Sequence, residues 1–414
     1  MAGHKNPFKN TKCGIPTRKR LSMKKLSQLY NSLARNPQSV RFMPFIDGLR
    51  FLAIIPVIFQ HANERLLKYN SNINDLSGWE AQLSFLISRG TIGVFIFFAV
   101  SGFVLTLPFA KGQLKFSYKT YISRRLNRIE PPFIFWISCF ALIFIIQGNM
   151  GIGNVLNHYL ATITYSHNII YGEYSIINPV AWSLEVEIQY YLIAPFIALL
   201  YFGQSNLGTR RSLLIAFLFI LITYQNVFGL NLYPFKATLL GQIQYFLIGM
   251  LMADLYANDS EIKYLKTWVW DGLAPILLLV MAYTWTDEFY KTIIFNLSLG
   301  LVFIAGFKGN IFPKLLSVKW ITIIGGMCYT IYLTHLPLLE LFYSVIGKFG
   351  YSSAYWVQLS ISLIIAIPIV LLSSVIFFKA IEKPFMKSDG FRQMLKNIKQ
   401  LFIRQGIQIE KQKS

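Results

Sequence analysis

Apolar runs close to the ~20 residues that a bilayer-crossing helix needs recur along most of this chain. They fall at about 45–63, 84–109, 131–147, 182–202, 212–229, 237–257, 268–285, 290–307, 319–346 and 355–379. This pattern predicts an all-α, polytopic integral membrane protein of about ten transmembrane helices. Several runs are short, and the third helix is predicted to start inside the polar stretch before it. An even number of spans puts both termini on one side. Residues 1–44 then form a polar, basic tail, residues 45–379 the membrane domain and residues 380–414 a second basic tail. The first tail reads either as a solvated segment or as one carrying a short surface helix at 20–36 on anionic lipid. No internal repeat is seen, and no soluble catalytic domain is expected at either end. The basic stretch before the first apolar run is too long, and the run lacks the cleavage pattern, for a secretory signal peptide.

Composition agrees. The 414 residues are 54% hydrophobic and only 14% charged, with a mean hydropathy of +0.48; soluble domains carry about 25% charged residues. Peripheral and single-span readings fail because the runs recur. A net charge of +21 would raise nucleic acid as a partner, but the location of the charges explains it otherwise. With the N-terminus inside, 32 of the 39 Lys and Arg fall in cytoplasmic segments and six in outer ones, with Arg50 inside the first span. That bias sets a cytoplasmic location for both termini; the expected location is the inner (cytoplasmic) membrane, multi-pass. The connection 148–181 has no Lys or Arg and belongs outside. With His158, His167 and Glu173 it could bind sugar or gate a site, though a plain connecting loop is the simpler reading. Cys13, Cys139 and Cys328 are scattered, with neither metal-ligand spacing nor a disulfide framework.

The candidate chemistry centres on the first span, PFIDGLRFLAIIPVIFQHA. Eleven helical steps separate Arg50 from His61, which places them ~16 Å apart along the axis and only ~20° apart around it. One face thus carries a cation at its start and an imidazole three turns deeper. A snorkelling Arg and a satisfied core His would be the bland account; ionisable groups inside an apolar span more often line a site or pathway. In the second span Gly90, Gly93, Ser101 and Gly102 read as small residues for close helix approach, and no nucleophile-elbow pattern surrounds Ser101. Before the third span, Arg125 and Arg128 share a helical face. They are either a fork pair for phosphate or ordinary basic flanks. In the fourth span Glu185 and Glu187 cannot share a face; one should meet the loop, and Glu187, four residues from Ser183 and Tyr191, is the inward candidate. In the ninth, Tyr332 and His335 are three apart, and Pro337 frees carbonyls nearby. The last span leaves through Ile381-Glu382-Lys383-Pro384.

In this order, FIDGLR with its His, FFAVSGF, RRLNRIEPP, AWSLEVEIQYYLIAP, YTIYLTHLP and IEKPF, the chain resembles the acyltransferase family 3 membrane proteins over about residues 41–387. Members O-acylate cell-surface glycans, lipids and small molecules. The resemblance implies activity at the Arg and His of the first span, here Arg50 and His61, and at an Arg-x-x-Arg pair, here Arg125 and Arg128. The family's Trp-Ser-Leu-x-x-Glu pattern falls on Trp182, Ser183, Leu184 and Glu187. A second Glu that often follows is Ile188 here, which puts a two-carboxylate mechanism in doubt. Some members carry an extracellular esterase-like domain; none is expected here, so any later step would need another protein.

Residues and resemblance together predict an O-acyltransferase, with an O-acetyltransferase as the main case. It would move an acyl group from cytoplasmic acyl-CoA to a hydroxyl of a cell-surface polysaccharide or its lipid-linked precursor. His61 and Glu187 are the catalytic candidates, and Arg50, Arg125 and Arg128 the acyl-CoA ligands. Asp47, Trp182, Ser183, Tyr332 and His335 are expected to support these or meet substrate. No metal and no bound cofactor are expected; acetyl-CoA is the co-substrate. The partners are acyl-CoA, the hydroxyl acceptor, membrane lipids and glycan-assembly proteins, with no nucleic acid. Direct transfer is favoured over an acyl-enzyme, since no second residue is evidently placed to reactivate an acyl-imidazole. The rivals are a transporter or flippase for a glycan or lipid precursor, which should show broken helices in two matching halves, and a scaffold for glycan assembly.

Overall fold

Pro44 opens the first helix at its first turn, where its missing N–H costs nothing. Asp47 follows in that turn and Lys68 stands in the last, both matched to the helix dipole. The result is a 26-residue helix, α1 (Pro44–Tyr69). It continues through Pro56 without a break. The computed structural model describes residues 43–70, 76–148, 150–259, 266–347 and 354–386, together with Leu33. The chain divides into two units, residues 1–42 and 43–414. Apart from Leu33, the surface helix expected at 20–36 lies outside the described residues, as does the second tail beyond residue 386.

After α1 come α2 (Gly78–Ile87), α3 (Ile92–Ala110), α4 (Tyr118–Gln147), α5 (Ile152–Ile163), α6 (His167–Tyr171), α7 (Trp182–Gly203), α8 (Leu207–Val227) and α9 (Leu239–Asn258). The second half holds α10 (Val269–Thr284), α11 (Phe289–Lys308), α12 (Phe312–Leu316), α13 (Lys319–Gly326), α14 (Cys328–Ile346) and α15 (Tyr355–Phe377). No strand occurs among the described residues. Eight helices are long and apolar enough to cross a membrane, or nine when the bent pair α13 and α14 is counted as one span. The seventh apolar run, 268–285, forms α10, which at 16 residues is shorter. The third span does start in the polar stretch: Ser117 caps α4 by accepting from the Thr120 amide, and Gly148 ends it in the left-handed region at φ 67°. The ninth run is not one straight helix but breaks at Met327 by 71°.

Burial sorts the helices. In α3 and α9, 67% of the apolar window is enclosed, against 22% in α8, so the first two are central and α8 is peripheral. The outward face of α8, with Leu213, Ile215, Phe217, Phe219 and Ile220, is exposed and apolar, as a lipid-facing helix requires. α1 is held against α2, α3, α12, α13, α14 and α15. Glycine makes the closest of these approaches. A Cβ on Gly93 would meet the Ala53 carbonyl carbon at 2.9 Å, and one on Gly325 the Asp47 carbonyl carbon at 2.7 Å. The helix bearing Arg50 and His61 is therefore gripped backbone to backbone on two sides.

Candidate functional site

The site is built outward from α1. At its start Arg50 Nη1 donates to Asp47 Oδ1 at 2.6 Å, three residues back on the same face. Three turns further, His61 Nδ1 lies 2.8 Å from Glu64 Oε2, and Gln60 Nε2 donates to the other oxygen, Oε1, at 2.8 Å. An ionised carboxylate only accepts. Nδ1 of His61 must then carry a proton; in the neutral ring this leaves the lone pair on Nε2, the atom a general base would use.

α14 brings a second imidazole. The His335 ring centroid stands 5.3 Å from that of His61. His335 Nδ1 lies 3.0 Å from the Ile331 carbonyl oxygen and 2.8 Å from that of Tyr332. Carbonyls cannot donate, so Nδ1 holds the proton here too. The His335 Nε2 is fully enclosed and has no hydrogen-bond partner among the described residues. In their neutral forms the two adjoining rings thus each keep Nε2 as the acceptor nitrogen. One turn before His335, the Tyr332 hydroxyl donates to the Val180 carbonyl, and Ser183 Oγ donates to the Tyr332 hydroxyl at 3.1 Å.

A different group of residues gathers around Glu187. Ser101 on α3 and Tyr191, one turn along α7, both donate to Glu187 Oε1, the latter at 2.6 Å. The Arg125 guanidinium lies 6.0 Å from the Tyr191 ring. Tyr191 is also within electrostatic reach of Arg50, so this group sits near the start of α1. Arg128 turns elsewhere: its Nη2 is 3.8 Å from Glu382 Oε1. Glu382 is fully buried at the end of a π-helical turn (Phe378–Glu382) and accepts from Thr330 Oγ1 at 2.6 Å. Arg125 and Arg128 thus share a helix but have different partners.

The connection 148–181 is a folded cap rather than a plain loop. Besides α5 and α6 it holds a 3-10 turn (Pro179–Ala181). Glu185, completely buried, accepts from the Asn168 backbone amide at 3.1 Å and from its side chain at 2.8 Å. Of the two carboxylates of α7, this is the one that reaches the loop. Within the cap, the His158 and His167 rings pair through nitrogens 2.8 Å apart. Trp182 packs its ring at 6.1 Å from Phe98 and 5.9 Å from Tyr174.

The profile of the acyltransferase domain family matches residues 43–378, nearly all of the membrane unit. The chain belongs to acyltransferase family 3. Among curated family relatives, the protein named O-acetyltransferase OatA of Staphylococcus aureus, strain NCTC 8325, is 26% identical over 389 residues, covering 86% of this chain and 58% of the relative. OatA of strain COL gives the same values. A provisionally named O-acetyltransferase of strain MSSA476 is 24% identical over 397 residues, covering 86% of this chain and 59% of its own length. The chain therefore spans less than two thirds of the length of these relatives. No solved structure matches this acyltransferase-family chain.

The family's motif residues fall at two depths. Arg50, Asp47, Glu187 and Arg125 lie toward the start of α1; His61 and His335 lie toward its end. Trp182, Ser183 and Tyr332 adjoin the cap. Sequence reasoning passed over Glu64, although its spacing of three from His61 was a signal in plain view. It also set Ser101 aside as packing, whereas Ser101 binds Glu187. Glu382, 254 positions from Arg128, left no local trace.

Proposed function

We propose that this chain is a membrane O-acyltransferase that moves an acyl group, in the main case acetyl, from acyl-CoA to a hydroxyl of a cell-surface polysaccharide or its lipid-linked precursor. The observation that carries the reading is the His61 imidazole: held through Nδ1 by Glu64, with Nε2 left as the nitrogen that can act on substrate, on the same helix face as Arg50. Family membership and relatives named as O-acetyltransferases support the chemistry.

His61 Nε2 takes the proton of the acceptor hydroxyl as its oxygen attacks the thioester carbonyl carbon. The carbon–sulfur bond then breaks, and the thiolate leaves with the proton that His61 had taken. The products are an ester and CoA. Arg125 and Arg128, with Arg50 deeper, provide the positive charge that CoA phosphates need. Glu187 accepts from Ser101 and Tyr191 and so orders the wall of the site toward the start of α1. The enclosed Nε2 of His335 supplies a second acceptor beside His61, which removes the ground for excluding a covalent acyl-imidazole. The distribution of Lys and Arg supports donor entry from the cytoplasm. A transporter built from repeats would carry matched broken helices; among the described residues one span is broken, α13 with α14.

The test is His61→Ala in the full chain, reading free thiol released from acetyl-CoA in membranes that contain the native acceptor. Turnover is expected to fall by about 10²-fold or more with insertion intact. Near-normal turnover would defeat the assignment.

A further inference from the structure

The hydrogen bonds around His61 run on beyond Glu64 in an unbroken chain. Thr91 Oγ1, at the start of α3, donates to Gln60 Oε1 at 2.7 Å. Gln60 Nε2 donates to Glu64 Oε1 at 2.8 Å. Glu64 Oε2 accepts from His61 Nδ1 at 2.8 Å. Each direction is dictated by the carboxylate. Because Glu64 can only accept, Gln60 must turn its NH2 toward it, which leaves the Gln60 carbonyl for the Thr91 hydroxyl. The same constraint puts the His61 proton on Nδ1.

We propose that Glu64, clamped by Gln60 and Thr91, is the positioning residue that fixes His61 in the tautomer with a basic Nε2. Glu64 does not touch the reacting atoms; it acts through the imidazole. This rests on the reading of His61 as the base. The other charged and titratable groups around the pair are Arg65, whose Nη1 is 4.0 Å from Glu64 Oε2, and His335 on α14. Arg65 is itself paired with Glu340.

The chain of donors makes a swap test available. In Glu64→Gln the new amide no longer imposes a direction. It can offer NH2 to Nδ1, which moves the ring proton to Nε2 and abolishes the base. In the double variant Gln60→Glu with Glu64→Gln, the carboxylate stands one turn earlier. It accepts from Thr91 and from the new Gln NH2, so that the Gln carbonyl faces His61 and the basic tautomer returns. The experiment compares both with wild type and with His61→Ala, by thiol release from acetyl-CoA, alongside the melting temperature in detergent. Glu64→Gln is expected to lower kcat by about 10²-fold with the acetyl-CoA KM unchanged, by analogy with orienting carboxylates elsewhere. The double variant is expected to regain at least about tenfold of that loss. Thr91→Val, which cuts the far end of the clamp without touching His61, should cost about fivefold. Wild-type kcat in Glu64→Gln, or a folded double variant no faster than the single one, would overturn the proposal. Full activity in His61→Ala would instead overturn the reading of the base.

Discussion

A single methyl group added to Gly325 tests how the site depends on the grip around α1. Gly325 lies on α13, just before the 71° break. Its Cβ would stand 2.7 Å from the Asp47 carbonyl carbon and 3.0 Å from the Phe51 amide nitrogen, where ordinary contact begins at 3.4 Å. Both neighbours are backbone, so no side chain can swing aside. The Asp47 carbonyl oxygen is nearer still, so α13 and α1 must part by well over ~1 Å, at about 3 kcal/mol or more for an overpacked interface. The strain falls on the turn that holds Asp47 and Arg50. A misplacement of about 1 Å can cost up to ~10²-fold in rate. Gly325→Ala should therefore lower the melting temperature and weaken acetyl-CoA binding together. Gly272→Ala on α10 is the control, since nothing lies within 4 Å of its Cβ; it should leave both unchanged or stabilise slightly. The assay is thermal unfolding of the purified chain in detergent, with acetyl-CoA titrated in parallel. If Gly325→Ala matches Gly272→Ala in both readouts, the close backbone approach is not what holds the site.

Three further outcomes are expected. Arg125→Ala and Arg128→Ala should each weaken acetyl-CoA binding, and Lys should not fully restore it because the planar fork is lost; equal affinity in the Arg and Ala forms would reduce the pair to basic flanks. Glu187→Gln keeps the shape but presents an amide to two hydroxyl donors, Ser101 and Tyr191, so turnover should drop, and wild-type activity would leave Glu187 a packing role. In the cap, burial holds the His167 pKa below its ordinary 6.5, with His158 beside it adding to the effect. A His whose folded pKa is depressed contributes stability that is complete above the unfolded value and declines as pH falls below it, because the unfolded chain takes up the proton first. Protection factors for hydrogen exchange across residues 152–171, that is, rates corrected for the intrinsic pH dependence of exchange, should then fall between pH 7.5 and pH 5.5 in wild type, and unchanged protection would contradict this.

Much of the architecture was legible from the sequence, and for simple physical reasons. A span must be apolar over its whole length, so runs such as Phe289–Lys308 announce themselves. The shared face of Arg50 and His61 follows from helix geometry alone, and so does the opposition of Glu185 and Glu187. What stayed hidden depends on contacts between distant segments. Nothing near His61 points to His335, 274 residues on, nor does the Arg125–Arg128 spacing reveal that Arg128 turns to Glu382. The break at Met327 lies inside a continuous apolar run, so hydropathy could not mark it. The folding of the cap is not legible in the sequence, because polar ties such as Glu185 to Asn168 and Thr162 to Ser175 leave no hydropathy pattern.

We propose that the two depths of the site face the two sides of a membrane. CoA is multiply charged and cannot enter hydrocarbon without a heavy desolvation cost, whereas His61 lies ~16 Å beyond Arg50 along α1, well across an apolar core of ~30 Å. Sealed vesicles of known orientation, loaded with labelled acetyl-CoA on one side and envelope glycan on the other, test this directly. Label should reach the glycan when acetyl-CoA is on the cytoplasmic face and glycan on the opposite face, with CoA left on the donor side. Efficient labelling with donor only on the outer face, or only when donor and glycan share the cytoplasmic face, would contradict the account.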